Sequence, residues 1–352
     1  MHLFSPLTQR SLILRNRIVV SPMCQYSVTD GMPDDWHLVH LGSRAVGGAA
    51  VVIAEATAVE PRGRISPADT GIWNDAQRDA WAPIARFIAA QGSIPGIQLA
   101  HAGRKGSTAA PWDGGKAVAP DAGGWTPVAP SAVAYAGDYP HPEALDAAGI
   151  RAVIDAFVAA ASRAHEAGFR LLELHAAHGY LLHQFLSPLS NHRGDGYGGS
   201  LANRMRLTLE VTAAVRAAWP AGLPLWLRLS ATDWAAGGWD LAQSLALVRE
   251  LGRIGVDLFD VSSGGLTAAQ KISVGPGYQV PLAATIRREA GVAVGAVGMI
   301  SEPVQAETIL ASGQADVVIL ARELLRDPYF PRRAARALGA EITTPRQYLR
   351  AW

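Results

Sequence analysis

The sequence predicts an α/β chain folded as one (β/α)8 barrel, and three observations predict it. Eight short apolar, β-branched runs recur along the 352 residues. Each is followed by Gly, Ser or His and then by a segment with helix-like apolar spacing. No Ser-rich or charged linker separates them, so a single domain over 1–352 accounts for the whole length. Continuous apolar strands alternating with helices imply a parallel sheet buried on both faces, and eight units in about this length fit a closed barrel. A doubly wound open sheet is the competing architecture. It rarely needs eight regular units, however, and no G-x-G-x-x-G follows the first run.

In order, the runs are "RIVVSP" from Arg17, "AAVVIAEAT" from Ala49, "IPGIQLAHAG" from Ile94, "FRLLELHAAHG" from Phe169, "LPLWLRLSATD" from Leu223, "VDLFDVSSGG" from Val256, "VAVGAVGMIS" from Val292 and "ADVVILAREL" from Ala315. Between them "QRDAWAPIARFIAAQG", "IRAVIDAFVAAASRAHEAG" and "RMRLTLEVTAAVRAAW" carry the 3.6-residue period, and several such segments end in Gly where a helix C-cap falls. One long irregular piece, from Gly103 to Ala144, is rich in Gly, Pro and Trp. Following the third run, it belongs over the C-terminal mouth as a lid or substrate wall, or as a passive cap.

Composition narrows the function. A formal charge of +1 gives no attraction to polyanions, and no window nears the roughly 18 apolar residues of a spanning helix. Only Lys105, Lys116 and Lys271 are lysines among 31 basic residues, which reads as base-composition drift. The single cysteine, Cys24, can neither form an internal disulfide nor hold an iron–sulfur cluster. With no secretory leader pattern at "MHLFSPLTQR", a cytoplasmic location is expected.

Barrels of this kind do their chemistry at the C-terminal strand ends. There the sequence places Ser21, Pro22, Met23, Cys24 and Tyr26, then Ala56, then Gln98 and His101. After them come His175, His178 and Tyr180, then Arg228 and Ser230, then Ser262, Ser263 and Gly264, and finally Gly298 and Ala321-Arg322. No carboxylate cluster accompanies the histidines, which argues against a hydrolytic metal centre. No lysine stands at a strand end, which argues against Schiff-base and pyridoxal chemistry. What remains are amide, hydroxyl, imidazole, thiol and guanidinium groups, suited to holding a planar heterocycle and polarising a carbonyl. Small residues after the last two strands form a pattern shared by phosphate sites and by plain packing.

These residues resemble the Old Yellow Enzyme family of FMN-dependent ene-reductases, in particular its thermophilic-like branch. The resemblance runs from "SPMCQYS" through "GIQLAHAGRKG", "HAAHGYLLHQFLSPLSNHRGDGYGGSLANRMR", "RLSATDW", "GAVGMI" and "ARELLRDPYF" to the terminal "YLRAW". It implies FMN as cofactor and NADPH as reductant, in an NADPH dehydrogenase that reduces activated alkenes by ping-pong kinetics. FMN would be held by Ser21, Pro22, Met23, Cys24, Ala56, Gln98 and Arg228, with Gly298, Ala321 and Arg322 at its phosphate. His175 and His178 would hold the substrate carbonyl rather than a metal, Tyr26 would add a hydrogen bond, Tyr180 would donate the proton and Cys24 would tune the flavin. A homodimer or homotetramer is also implied, its C-terminal arm 340–352 at the interface. Arg350 would enter a neighbouring subunit's site, with Trp352 as anchor. Ala321 stands where the family usually has Gly; if that position needs φ > 0, Ala costs about 1 kcal/mol. Another FMN barrel oxidoreductase, or a flavin-binding protein without turnover for storage or sensing, are the competing readings.

Overall fold

A computed structural model describes residues 1–351. Its centre is a closed barrel of eight parallel strands, β1 (Ile18–Val20), β2 (Val51–Ala58), β3 (Ile94–Ala100), β4 (Leu171–Ala176), β5 (Leu225–Ser230), β6 (Leu258–Ser262), β7 (Val294–Val297) and β8 (Val317–Leu320). Each pairs with its neighbours in sequence, and β8 closes on β1. Seven fall within the runs read from the sequence, and β2 extends one residue past its run, to Ala58.

Helices α1 (Asp35–Gly47), α2 (Asp75–Ala90), α3 (Ala147–Glu166), α4 (Leu201–Ala218), α5 (Leu241–Ile254), α6 (Val280–Ala290), α7 (Pro303–Ala311) and α8 (Phe330–Leu338) follow the strands in turn. Their starts are written in local chemistry. Asp34, Asn74, Asp146, Ser200 and Asp240 each accept a first-turn backbone N–H, which satisfies donors that the helix leaves unpaired. Pro takes an early position in α6, α7 and α8, where no N–H is needed.

The strand faces divide the core. Outward residues such as Leu172, Leu174, Leu227 and Val261 pack on the helices. Val19, Ile53, Leu171, Trp226, Leu258 and Val317 form a separate cluster inside the barrel. A hairpin absent from the sequence reading, Leu7–Gln9 with Leu12–Leu14, closes the floor. Leu14 joins the inner cluster, Gln9 accepts the indole N–H of Trp226 at 3.3 Å and Arg10 pairs with Asp257 at 2.6 Å. Its two-residue turn, Arg10-Ser11, lacks the Asn-Gly or Asp-Gly signature, and Arg10 takes φ 52 regardless.

Climbing from that floor, the inward positions turn polar with period two. Leu171 is followed by Glu173 and His175, Trp226 by Arg228 and Ser230, and Leu258 by Asp260 and Ser262. The register aligns His175 with Arg228, and Arg228 with Asp260. The Gly103–Ala144 excursion contains three 3-10 turns and a two-residue parallel pairing, Val128–Ala129 with Glu143–Ala144. Trp125 pins it by donating to the Arg62 carbonyl at 3.0 Å under the Arg64 guanidinium, while Trp112 meets Tyr26 edge-on at 5.5 Å. No helix among the described residues is long and apolar enough to cross a membrane.

Candidate active site

At the end of β4 the chain turns sharply. His178 takes φ 57 and Gly179 φ 73. A Cβ on Gly179 would lie 2.2 Å from the Gly265 carbonyl oxygen, so that position requires glycine for space as well as for conformation. Three hydrogen bonds hold the turn: His178 N–H to Ser230 Oγ (2.9 Å), Gly179 N–H to His183 Nδ1 (2.9 Å) and Lys105 Nζ to the His178 carbonyl (2.9 Å). Because His183 Nδ1 accepts, its proton sits on Nε2, 2.8 Å from the buried Asp233. Rigid support of this kind brings three rings together. His175 stands edge-on to His178 at 5.2 Å and to Tyr180 at 5.0 Å.

A polar belt lies at the level of His175 and just below it. Gln98 donates to Glu173 at 2.7 Å. Arg228 donates through Nε to Asp260 at 2.5 Å and through Nη2 to Ser21 at 2.7 Å. Two buried carboxyl groups thus fix an amide and a guanidinium from behind. Carboxylates therefore do stand close to the histidines, one layer away, but they serve Gln98 and Arg228 rather than a metal. Among the described residues no cluster of ligands could hold a metal ion.

Burial sets the protonation states. It holds His175 and His178 well below the usual imidazole range, helped by each other's proximity for His175 and by Arg228 and Lys105 for both. Both are neutral near pH 7. Burial likewise pushes the hydroxyls of Tyr180 and Tyr26 well up, so both keep their protons. The half-buried Cys24 thiol is raised by burial and by Asp69 and Glu55, against hydrogen bonds from Tyr26 and the Ala56 backbone. Its loop is fixed where Gln25 N–H meets Glu55 at 2.8 Å, the other oxygen of that carboxylate contacting His37 at 2.8 Å. Glu173 is raised to about 8, first by burial and then by Asp260.

A cavity of about 360 Å³ opens beside the belt, running from Ser21, Pro22 and Arg228 past Gly298 to Ala321 and Arg322. Gly298 has φ 120, and a Cβ there would come within 2.8 Å of Gln279 Nε2. Ala321 has φ −104, outside the left-handed region, so the cost that a positive φ would impose on its methyl group does not arise. Met23 packs partly on the core beside this wall, and Ala56 faces Gln98 across the β2–β3 pairing.

The structure therefore gathers Ser21, Pro22, Cys24, Tyr26, Gln98, His175, His178, Tyr180 and Arg228 at one mouth, with Gly298, Ala321 and Arg322 along one flank. Arg350 lies elsewhere. Its arm passes the C-terminal ends of α1 and α2, where Arg332 bonds Thr343 and Thr344, and Arg350 is exposed. Trp352 lies outside the described residues. Sequence reasoning missed Lys105, which is five positions beyond β3 and returns only through a turn. It also missed the roles of Glu173 and Asp260, both visible as lone acids inside apolar strands. His178 Nε2 is engaged with Ser262 Oγ at 2.7 Å, and His175 Nδ1 is buried without a partner.

Residues 2–341 match the profile of the NADH:flavin oxidoreductase / NADH oxidase family. The chain belongs to that family. An NADPH dehydrogenase of Geobacillus sp. (strain WCH70) is 47% identical over 352 residues, covering 99% of this chain and 98% of that protein. Morphinone reductase superposes with a TM-score of 0.80 at 30% identity, over 97% of this chain and 91% of that one. The Old Yellow Enzyme homologue of Zymomonas mobilis does so with a TM-score of 0.78 at 27% identity, over 97% and 94%. This flavin oxidoreductase uses FMN and is an NADPH dehydrogenase of the Old Yellow Enzyme group. Its site fits the cofactor. An amide and a guanidinium are braced from behind by buried acids, a glycine keeps one wall flat and His175 leaves a buried nitrogen unpaired.

Proposed function

We propose that this flavin oxidoreductase reduces the activated C=C bond of α,β-unsaturated carbonyl compounds such as enones, enals and maleimides. One observation carries the reading: two neutral imidazoles and one protonated phenol meet at the mouth that Arg228 and Ser21 also line. FMN, when bound, supplies hydride taken from NADPH. Ser21, Pro22, Met23, Cys24, Ala56, Gln98 and Arg228 would hold its ring system, and Gly298, Ala321 and Arg322 would hold its phosphate.

His175 donates a hydrogen bond to the substrate carbonyl oxygen, where negative charge grows as the β-carbon is reduced, and His178 joins it by exchanging its Ser262 contact for that oxygen. Neutral imidazoles suit this task, since each keeps one N–H without repelling Arg228. Tyr180 gives its proton to the α-carbon. Tyr26, edge-on to Trp112, adds a hydrogen bond to the substrate, and Cys24 would tune the flavin when it is bound. Reductant and alkene use the same mouth, so the kinetics are ping-pong. The working form is a homodimer or homotetramer in which Arg350 reaches a neighbouring subunit.

The test is anaerobic stopped-flow at the flavin absorbance: reduction with NADPH, then mixing with cyclohexenone. Bleaching followed by fast recovery is expected. Bleaching without recovery overturns the alkene assignment, and intersecting initial-rate patterns overturn the ping-pong order.

A further inference from the structure

The mouth has a second cavity, of about 610 Å³, that no step above uses. Four segments wall it: the irregular excursion after β3, the loop after β4 at Leu189, the loop after β5 and the loop after β6. Arg104, Tyr135, Trp234, Thr267 and Lys271 are on its surface, and its lining includes no carboxylate. Arg104 is only 3% exposed, yet it donates to carbonyl oxygens alone, those of Val133 (3.3 Å) and Leu266 (2.9 Å), and its Nε is buried without a partner. The next residue, Lys105, donates to the carbonyls of His178 and Gly265, with its ammonium 4.6 Å from the Tyr135 ring and 5.3 Å from that of Tyr180. Lys271 is exposed at the rim. Among the described residues none of the three cations pairs with a carboxylate, although Asp233 lies near enough to act on Arg104.

Buried positive charge without a counter-ion is costly and waits for an anion. Desolvation shows in both buried cations, Arg104 held below its usual range and Lys105 lowered to about 8. The lysines sharpen the point. Only three exist in a chain otherwise served by arginine, and all three stand on the roof: Lys105 and Lys116 in the excursion, Lys271 in the loop after β6. An ammonium offers a rotatable point charge that grips a phosphate without the fixed fork of arginine, and so releases it readily. Tyr135 and Trp234 add aromatic faces on which a base can stack.

We infer that this cavity takes the phosphorylated adenosine half of NADPH, with Lys271 at the 2′-phosphate and Arg104 supplying charge from beneath. The sequence has no dinucleotide-binding motif, so this half of the coenzyme needs a site of its own. The cavity adjoins the turn that carries His178 and Tyr180, and its size lies within the range of small-molecule pockets. The inference rests on the reductant entering by the mouth at which His175, His178 and Tyr180 stand.

The holoenzyme tests it through Lys271→Ala, an exposed residue with no catalytic part, with Lys116→Ala as the control on the same roof. Flavin reduction is followed by stopped-flow against NADPH and against NADH. The expected result for Lys271→Ala is a half-saturating NADPH concentration raised about tenfold, with the limiting rate, the NADH response and reoxidation by cyclohexenone unchanged. 2′,5′-ADP should compete with NADPH in the parent and in Lys116→Ala, and about tenfold less well in Lys271→Ala. Equal effects on NADPH and NADH, no effect on either, or an effect confined to the alkene overturn the inference. Failure of both coenzymes to reduce the parent protein would instead count against the shared-mouth reading.

Discussion

Tyr180 is held protonated by burial and stands 5.0 Å from the His175 ring, so its hydroxyl is the group to remove first. Tyr180→Phe should slow flavin reoxidation by cyclohexenone roughly hundredfold or more, while reduction by NADPH stays within twofold, as read in the two stopped-flow phases. Glu173 makes a different forecast. Its folded-state pKa, about 8, lies above the ordinary 4.5, so the native state binds the extra proton. Stability from this group is complete below about pH 4.5 and is lost as pH rises through about 8. Glu173→Gln should flatten that decline in thermal midpoint while keeping a partner for Gln98; an unchanged slope would mean that the acid is ionised when folded. At this scale much was readable in the sequence. The strand-end rule finds His175, Arg228 and Ser262, because one residue in two must point inward. It cannot find Lys105, whose place depends on a turn, or the bond that occupies His178 Nε2, which depends on how two loops meet.

Between elements, the turn after β4 and the loop after β6 lock glycine against glycine. A Cβ on Gly265 would come within 2.6 Å of His178 Cα, and Gly265 has φ 88. Gly265→Ala should therefore lower stability by about 1–3 kcal/mol and reduce alkene turnover further, because the displaced backbone carries His178. Denaturant titration and reoxidation rates measured on the same sample would check both. If stability falls but reoxidation does not, the lock is structural only. Periodicity predicted α2, α3 and α4 well, since apolar spacing and capping residues coincide there. The floor hairpin escaped because three-residue strands joined by Arg10-Ser11 give neither a long alternation nor a turn signature.

For the whole molecule, the open question is the C-terminal arm. Arg350 is exposed, on a segment that passes the floor side of the helices rather than its own chain's mouth, so only another copy could bring it to a site. Removing Leu349 to Trp352 should raise the alkene KM or lower the assembly mass measured by light scattering; a change in neither would refute the intersubunit role. The closed barrel itself was the most readable feature, because eight apolar runs leave few other ways to bury both faces of a sheet.

The gradient inside that barrel has one more consequence. Apolar side chains fill the floor, braced acids the middle and hydroxyl and imidazole groups the rim, so height along the axis ranks each inward position by what a substitution would change. On the function proposed above, low positions govern whether the chain folds, middle ones how strongly the flavin attracts electrons, and rim ones which molecule is reduced. A lineage could thus exchange substrates by editing the uppermost residues while the foundations stay untouched.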